Sequence, residues 1–180
     1  VYEKTLMMLR GAIDTLSIGN PELLSTDIGP VIDSLSKVKI INHIARFSKI
    51  YQSKQNLNDG YFVPATVIEI SSLEEVKEEI FGPVVHIISY KTKETKKLCE
   101  DINKLGYGLT LGIHSRIDNT VNDIIKTINV GNIYINRDMV GAVVGVQPFG
   151  GHGKSGTGPK AGGPEYLKRL CNEYSISKSI

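Results

Sequence analysis

Nine of the chain's 18 glycines fall between Gly141 and Gly163, in GAVVGVQPFGGHGKSGTGPKAGG, with Pro148 and Pro159 among them. Ordering a glycine costs about 0.5–1 kcal/mol more than ordering an alanine, so half of them in one stretch implies a close backbone approach to something. Such a stretch offers anion binding: successive main-chain N–H groups, joined by the hydroxyls of Ser155 and Thr157, can cradle a carboxylate or a similar group. The same residues also suit a rigid surface turn whose glycines only relieve crowding, and both readings stand at this point. Gly151, Gly153 and Gly156 satisfy GxGxxG, and Gly153, Lys154 and Ser155 imitate the end of a P-loop. A dinucleotide fingerprint has to open a helix. Gly158, Pro159, Gly162, Gly163 and Pro164 prevent one, and Pro148 stands where a P-loop places its first glycine.

Elsewhere the chemistry-bearing residues are scattered. Cys99 and Cys171 form no CxxC pair and follow leucines in helical patterns, which predicts buried structural thiols and neither a disulfide scaffold nor a zinc site. His43 falls in a helical pattern and His86 and His114 in strand patterns, so all three are expected as packing positions; His152 alone lies in the glycine segment. Glu79 ends a short helical pattern before Gly82 and Pro83, where a solvated carboxylate is the plain expectation. Phe81 and Phe149 are by default core anchors.

The elements that must position these residues alternate. Tyr2, Leu6, Leu9, Ile13 and Leu16 share one helical face, and a second helix is expected from about Asp33 to Tyr51. QSKQNLNDG reads as a polar connection, and YFVPATVIEI as a strand with an edge or bulge at Pro64. Ser72 and Glu75 have capping-box spacing ahead of a short helix, and VVHIISY is a strand. Thr92 is expected to cap the helix carrying Leu98, Ile102 and Leu105. LTLGIHS, a helix from Asp118 or Asn119 through Ile128, and VGNIYIN continue the alternation. This order predicts an α/β fold with a mostly parallel sheet flanked by helices. PEYLKRLC closes as a helix and EYSISKSI as an exposed or partner-pairing strand.

With 180 residues, 41% of them apolar, the chain can bury a core, and a formal net charge of +2 gives nucleic-acid binding no support. No run approaches the roughly 18 apolar residues of a membrane span, and VYEKTLMMLR has charges where a secretory signal would be apolar. These features predict a cytoplasmic protein. The start at Val1, directly in a helical pattern, predicts a piece of something longer.

EIFGP at Glu79–Pro83 and QPFGG at Gln147–Gly151, separated by LGYGLTLGIHSR and VGNIYINR, resemble the C-terminal part of the aldehyde dehydrogenase superfamily over nearly the whole chain. GNPELLSTDIGPVID, YGLTLGIHSRID and VGAVVGVQPFGGHGKSGTGPKAGGPEYL look more narrowly like the L-glutamate gamma-semialdehyde (1-pyrroline-5-carboxylate) dehydrogenase part of the bifunctional proline-catabolic enzymes known as proline utilisation A. The resemblance implies a partial catalytic domain over residues 1–172 and an oligomerisation strand over 173–180. It also implies oxidation of glutamate 5-semialdehyde to glutamate with NAD: a cysteine attacks the aldehyde, hydride leaves to the nicotinamide, and a glutamate-activated water releases the acid. Carried over by motif, Glu79 binds the nicotinamide-ribose hydroxyls, Phe81 packs beside the nicotinamide, and Phe149 lines the aldehyde tunnel. Ser155, Gly156 and Thr157 anchor the substrate's α-carboxylate.

The family's catalytic cysteine precedes the equivalent of Val1, and its general-base glutamate, oxyanion-hole asparagine and Rossmann domain lie further upstream. The resemblance therefore implies no catalytic residue and no metal site within these residues, no flavin, and silence in isolation. It implies a separate N-terminal polypeptide as partner and a homo-oligomer in the complete enzyme. At His152 and Lys154 the family commonly has an acid and an apolar residue, so loop chemistry departs there. Two further functions are carried alongside: a non-catalytic assembly module working through EYSISKSI, and an anion or nucleotide binder built on the glycine segment.

Overall fold

The computed structural model describes residues 1–55 and 59–180, which divide into two units, Val1–Ser89 and Tyr90–Ile180. The middle of the expected polar connection, residues 56–58, lies outside the described residues.

In the first unit, α1 (Tyr2–Asp14) and α2 (Ser34–Ile44) cover the two faces of one short strand, β2 (Thr66–Glu69). Alternation along the strand explains how. Ala65 and Val67 meet Leu6 and Ile13 of α1, while Ile68 and Ile70 meet Ile40 and Ile44 of α2. Val67 and Ile68 are fully buried, and burying each such side chain contributes about 1.5–3 kcal/mol. β2 pairs parallel with β3 (Val84–Ile87) and antiparallel with β1 (Ile50–Gln52). A strand buried on both faces reads as a continuous apolar run, which is what TVI supplies. Glu69 at its end accepts from Tyr2 Oη at 2.9 Å and pairs with Arg10 at 2.8 Å, fastening α1 to the sheet.

Two expectations are corrected here. The second helix stops at Ile44 instead of reaching Tyr51: Arg46 and Phe47 donate three residues back, to His43 and Ile44, tightening the last turn, and Ile50–Gln52 join β2. Asp33 does cap its start, accepting from Ser36 N–H at 2.7 Å. The helix after Ser72 is a single 3-10 turn, Leu73–Glu75. Its capping box forms as the spacing predicts, but Val76 and Ile80 leave helix to pack on the Ile40 cluster.

In the second unit, α3 (Thr95–Leu105) is preceded by a 3-10 turn at Thr92–Glu94, and no Thr92 side-chain cap forms; Lys91 N–H donates to the Glu94 carboxylate instead. The two-residue strand β4 (Tyr107–Gly108) follows at once, then β5 (Thr110–Ile113), α4 (Asp118–Thr127) and β6 (Asn132–Ile135). β5 and β6 pair parallel, joined through α4 as a right-sized crossover. Asn103 of α3 donates to Thr127 O at 2.8 Å and accepts from Asn129 N–H at 2.8 Å, tying α3 to the exit of α4. β4 pairs antiparallel with β7 (His152–Gly153) in the glycine segment. α5 (Tyr166–Arg169) closes the ordered elements, and residues 171–180 are exposed without helix or strand within this chain. The parallel pairs β2–β3 and β5–β6 with flanking helices make an α/β fold.

Candidate functional site

Glu79 and Phe81 share one groove of the first unit, a cavity of about 530 Å³ that Ile32, Ser36, Lys39 and Ile40 also line. β3 starts just after Gly82 and Pro83, and of the residues before them Ile80 packs on the Ile40 cluster of α2 while the Phe81 ring faces outward. Phe81 is 80% exposed, which corrects its expectation as a core anchor. Glu79 stays out of all four ion pairs formed among the described residues. Its neighbour Glu78 takes the groove's lysine, Lys39, at 2.8 Å, and that hydrogen bond holds the Glu78 carboxyl below its ordinary range. The result is a free carboxylate beside an exposed flat ring on an apolar shelf, a set that suits a diol and a planar heterocycle.

Phe149, Ser155, Gly156 and Thr157 share one hairpin of the second unit. Phe149 and Ala161 exchange both main-chain hydrogen bonds, at 3.0 and 2.9 Å, and close its base. From there β7 runs along β4, Lys154 N–H donates to Gly106 O at 2.8 Å, and Ser155 N–H returns to His152 O at 3.1 Å. Gly108 N–H donates to Ser155 Oγ at 3.1 Å, so the hydroxyl proton of Ser155 remains available. Thr157 and Gly158 N–H groups and the Thr157 hydroxyl find no acceptor among the described residues. The turn is tight because backbone crosses backbone. A Cβ on Gly151 would stand 2.7 Å from Ser155 Cβ and 2.9 Å from Gly108 O, and one on Gly156 would overlap the Gly151 carbonyl. Successive unpaired donors beside two hydroxyls are the kinds of group an anion cradle is built from. After Gly156 no helix begins until Tyr166, so the GxGxxG spacing lacks the helix a pyrophosphate needs.

His152 and Lys154, the departures in the loop, both make contacts. His152 Nδ1 lies 2.8 Å from Asn129 Oδ1, and Lys154 Nζ donates to Leu105 O at the end of α3 while standing 4.8 Å from the centre of the Tyr107 ring. Asn132 and Lys160 escaped the sequence reading. Asn132 is 9% exposed, and its amide joins Pro148 and Gly150, while Lys160 reaches Gly131 O and Asn132 Oδ1. The available signal was an asparagine at an inward position of a strand, where that residue is depleted.

The remaining candidates separate. Cys99 is 5% exposed and burial pushes its thiol up, which makes it inert. Cys171 is exposed, correcting the expectation of a buried thiol, because the helix around it ends at Arg169. His114 is likewise exposed, one residue past the end of β5. His43 and His86 do pack, with Nε2 atoms 2.8 Å apart against Phe47, and burial lowers both from the ordinary imidazole value. Among the described residues no group of three or more His, Cys, Asp and Glu gathers as a metal site, and no helix is long and apolar enough to cross a membrane.

A family model described as aldehyde dehydrogenase family matches residues 1–176. The bifunctional protein PutA of Klebsiella aerogenes is 54% identical over 183 residues, which cover 96% of this chain and 14% of that protein. A solved variant of Bradyrhizobium japonicum proline utilization A superposes with a TM-score of 0.89 at 45% identity, over 94% of this chain and 18% of that one. A 1-pyrroline-5-carboxylate dehydrogenase from Thermus with bound NAD superposes with a TM-score of 0.80 at 34% identity, over 93% of this chain and 33% of that one. The chain thus spans about a seventh of the length of its PutA relative.

Proposed function

Because this chain belongs to the aldehyde dehydrogenase family, we propose that its 180 residues carry the substrate-carboxylate anchor and the nicotinamide-side contacts of an NAD-dependent oxidation of glutamate 5-semialdehyde to glutamate. The observation that carries this reading is the hairpin closed at Phe149 and Ala161, whose tip holds N–H donors at Thr157 and Gly158 with no acceptor among the described residues, beside the Ser155 and Thr157 hydroxyls. A carboxylate arriving there gains several charge-assisted hydrogen bonds, each worth about 1.5–3 kcal/mol. Phe149, at the base of the same hairpin, supplies an apolar wall for the chain of the aldehyde. Binding one end of the substrate fixes where its other end falls, which converts carboxylate affinity into orientation of the reacting carbon.

The hydride acceptor in that oxidation is NAD, and the free Glu79 carboxylate and exposed Phe81 ring fit its nicotinamide-ribose end. Glu79 accepts from the ribose hydroxyls and Phe81 offers a face to the planar ring. Neither Cys99, buried with its thiol raised, nor Cys171, in the tail after α5, stands on the anchor hairpin or the Glu79 groove. By the resemblance the nucleophilic cysteine precedes the equivalent of Val1, so it is assigned to residues outside these, and the chain alone is expected to be silent.

The test is a chimera in which the matching segment of the Klebsiella aerogenes PutA relative is replaced by this chain. Formation of NADH from pyrroline-5-carboxylate and NAD is the expected result. A chimera that folds but yields no turnover rejects the proposal. A second reading, assembly, rests on the exposed Tyr174 and Ile176, which alternate with polar residues in an unpaired tail. An oligomer that dissociates on size exclusion when residues 173–180 are removed supports strand-mediated association, and an unchanged elution position rejects it.

A further inference from the structure

Phe149 is held along both edges of its main chain. On one edge Ala161 exchanges two hydrogen bonds with it. On the other no strand lies among the described residues, and the side-chain amide of Asn132 takes that place. Its Nδ2 donates to Pro148 O at 3.1 Å and its Oδ1 accepts from Gly150 N–H at 3.3 Å, bracketing Phe149 from before and after. The orientation of this amide is set by a cation. Lys160 lays its stem across Gly150, 3.5 Å from where a Cβ would stand, and donates from Nζ to Asn132 Oδ1 at 3.2 Å and to Gly131 O. A flipped amide would turn its NH2 toward the ammonium and its oxygen toward the Pro148 carbonyl, losing every one of these bonds. Burying an amide is costly unless it is bonded, and here Oδ1 accepts twice and Nδ2 donates once.

We propose that Asn132, oriented by Lys160, is a positioning residue that sets substrate discrimination by holding Phe149 at a fixed place relative to the carboxylate anchor. This rests on the reading above, in which Phe149 lines the aldehyde path. A substrate with an α-carboxylate touches the wall and the anchor at once, so it feels the distance between them. A short aldehyde without a carboxylate touches only the wall. Loosening the bracket therefore penalises the first more than the second, and their ratio is independent of how much enzyme is folded.

In the chimera, Asn132→Leu removes all three side-chain bonds at similar volume, while Asn132→Asp keeps both acceptor bonds and sets a carboxylate oxygen against the Pro148 carbonyl in place of the donor. The expected result is a fall of about tenfold in the ratio of kcat/KM for pyrroline-5-carboxylate to that for propanal in Asn132→Leu, carried mainly by KM, and a smaller fall in Asn132→Asp. Hydrogen exchange read by mass spectrometry on the peptide covering 147–152 should accelerate in Asn132→Leu, with the peptide covering 63–70 unchanged. An unaltered ratio, or unaltered exchange at 147–152, overturns the inference. If Asn132→Leu does not fold, Asn132→Asp alone decides by the same two readouts. An unsubstituted chimera that is folded yet silent rejects the reading of the preceding section instead, and the exchange comparison then still decides whether Asn132 holds Phe149.

Discussion

Gly151→Ala puts the packing of the anchor hairpin to a quantitative test. Gly151 is buried at the crossing point of the hairpin, and an added Cβ would stand 2.7 Å from Ser155 Cβ, 2.8 Å from Ser155 O and 2.9 Å from Gly108 O. Unstrained carbon–carbon contacts begin near 3.5 Å, so the Ser155 side has to retreat by about 0.8 Å. None of the three atoms is the free end of a flexible side chain, and two are main-chain oxygens. A shift of that size at Ser155 disturbs the 3.1 Å bond from Gly108 N–H to Ser155 Oγ. Overpacking of this kind costs about 1–3 kcal/mol of stability. A misplacement of about 1 Å at a positioning group costs on the order of a hundredfold in rate, so kcat/KM for pyrroline-5-carboxylate in the chimera should fall about 10- to 100-fold. The loss should appear in KM, because the carboxylate is held less well, and also in kcat, because the reacting carbon is less well oriented. NADH absorbance gives the kinetics and a thermal melt the stability. A variant with unchanged KM and an unchanged melting midpoint would refute the argument, since the added methyl would then have found room that the hairpin does not contain.

The other expectations are simpler to read. Burial lowers both His43 and His86, so in the unfolded chain they bind protons at a higher pH than in the folded one. Their contribution is complete above the unfolded value, about 6.5, and is lost as pH falls through the lowered folded values. The urea midpoint should therefore drop between pH 7.5 and 5, and His86→Leu should flatten that dependence; an equally steep drop in the variant would remove the histidine pair as its source. Ile68→Ala empties a 0% exposed core position and should cost about 2–5 kcal/mol by chemical denaturation, with less than about 1 kcal/mol arguing against a packed core there. Glu79→Ala should raise the chimera's KM for NAD about tenfold or more while leaving that for pyrroline-5-carboxylate near its starting value, and the reverse pattern would unseat the assignment of Glu79. A thiol reagent should label Cys171 rapidly and Cys99 only on unfolding; rapid labelling of Cys99 would contradict its burial.

Much of this was legible from residue order, and the reason differs by residue. The stripe Tyr2, Leu6, Leu9 and Ile13 specifies α1 because local periodicity and tertiary burial demand the same face, and Leu16, past the end of the helix, packs on the same cluster. The capping box at Ser72 and Glu75 forms for the same reason, but three residues of 3-10 turn follow it, since Val76 and Ile80 gain more by packing on α2 than by extending a helix. The stretch 45–52 misled because the ladder partner of Ile50, Ile68, lies far along the chain, and pairing at that distance leaves no local trace. Cys171 and His114 misled through element ends, where one residue more or less decides between a buried face and solvent. Ser155, Gly156 and Thr157 stood out through composition. Asn132 did not, because its partners Pro148, Gly150 and Lys160 meet only when the hairpin is closed.

The closure of that hairpin at Phe149 and Ala161 has a consequence for how such a scaffold diversifies. A segment whose two ends are already clasped behaves as a cassette. Its tip can exchange one set of donors for another, and so one class of head group for another, while the clasp and the strands beneath it go on folding as before.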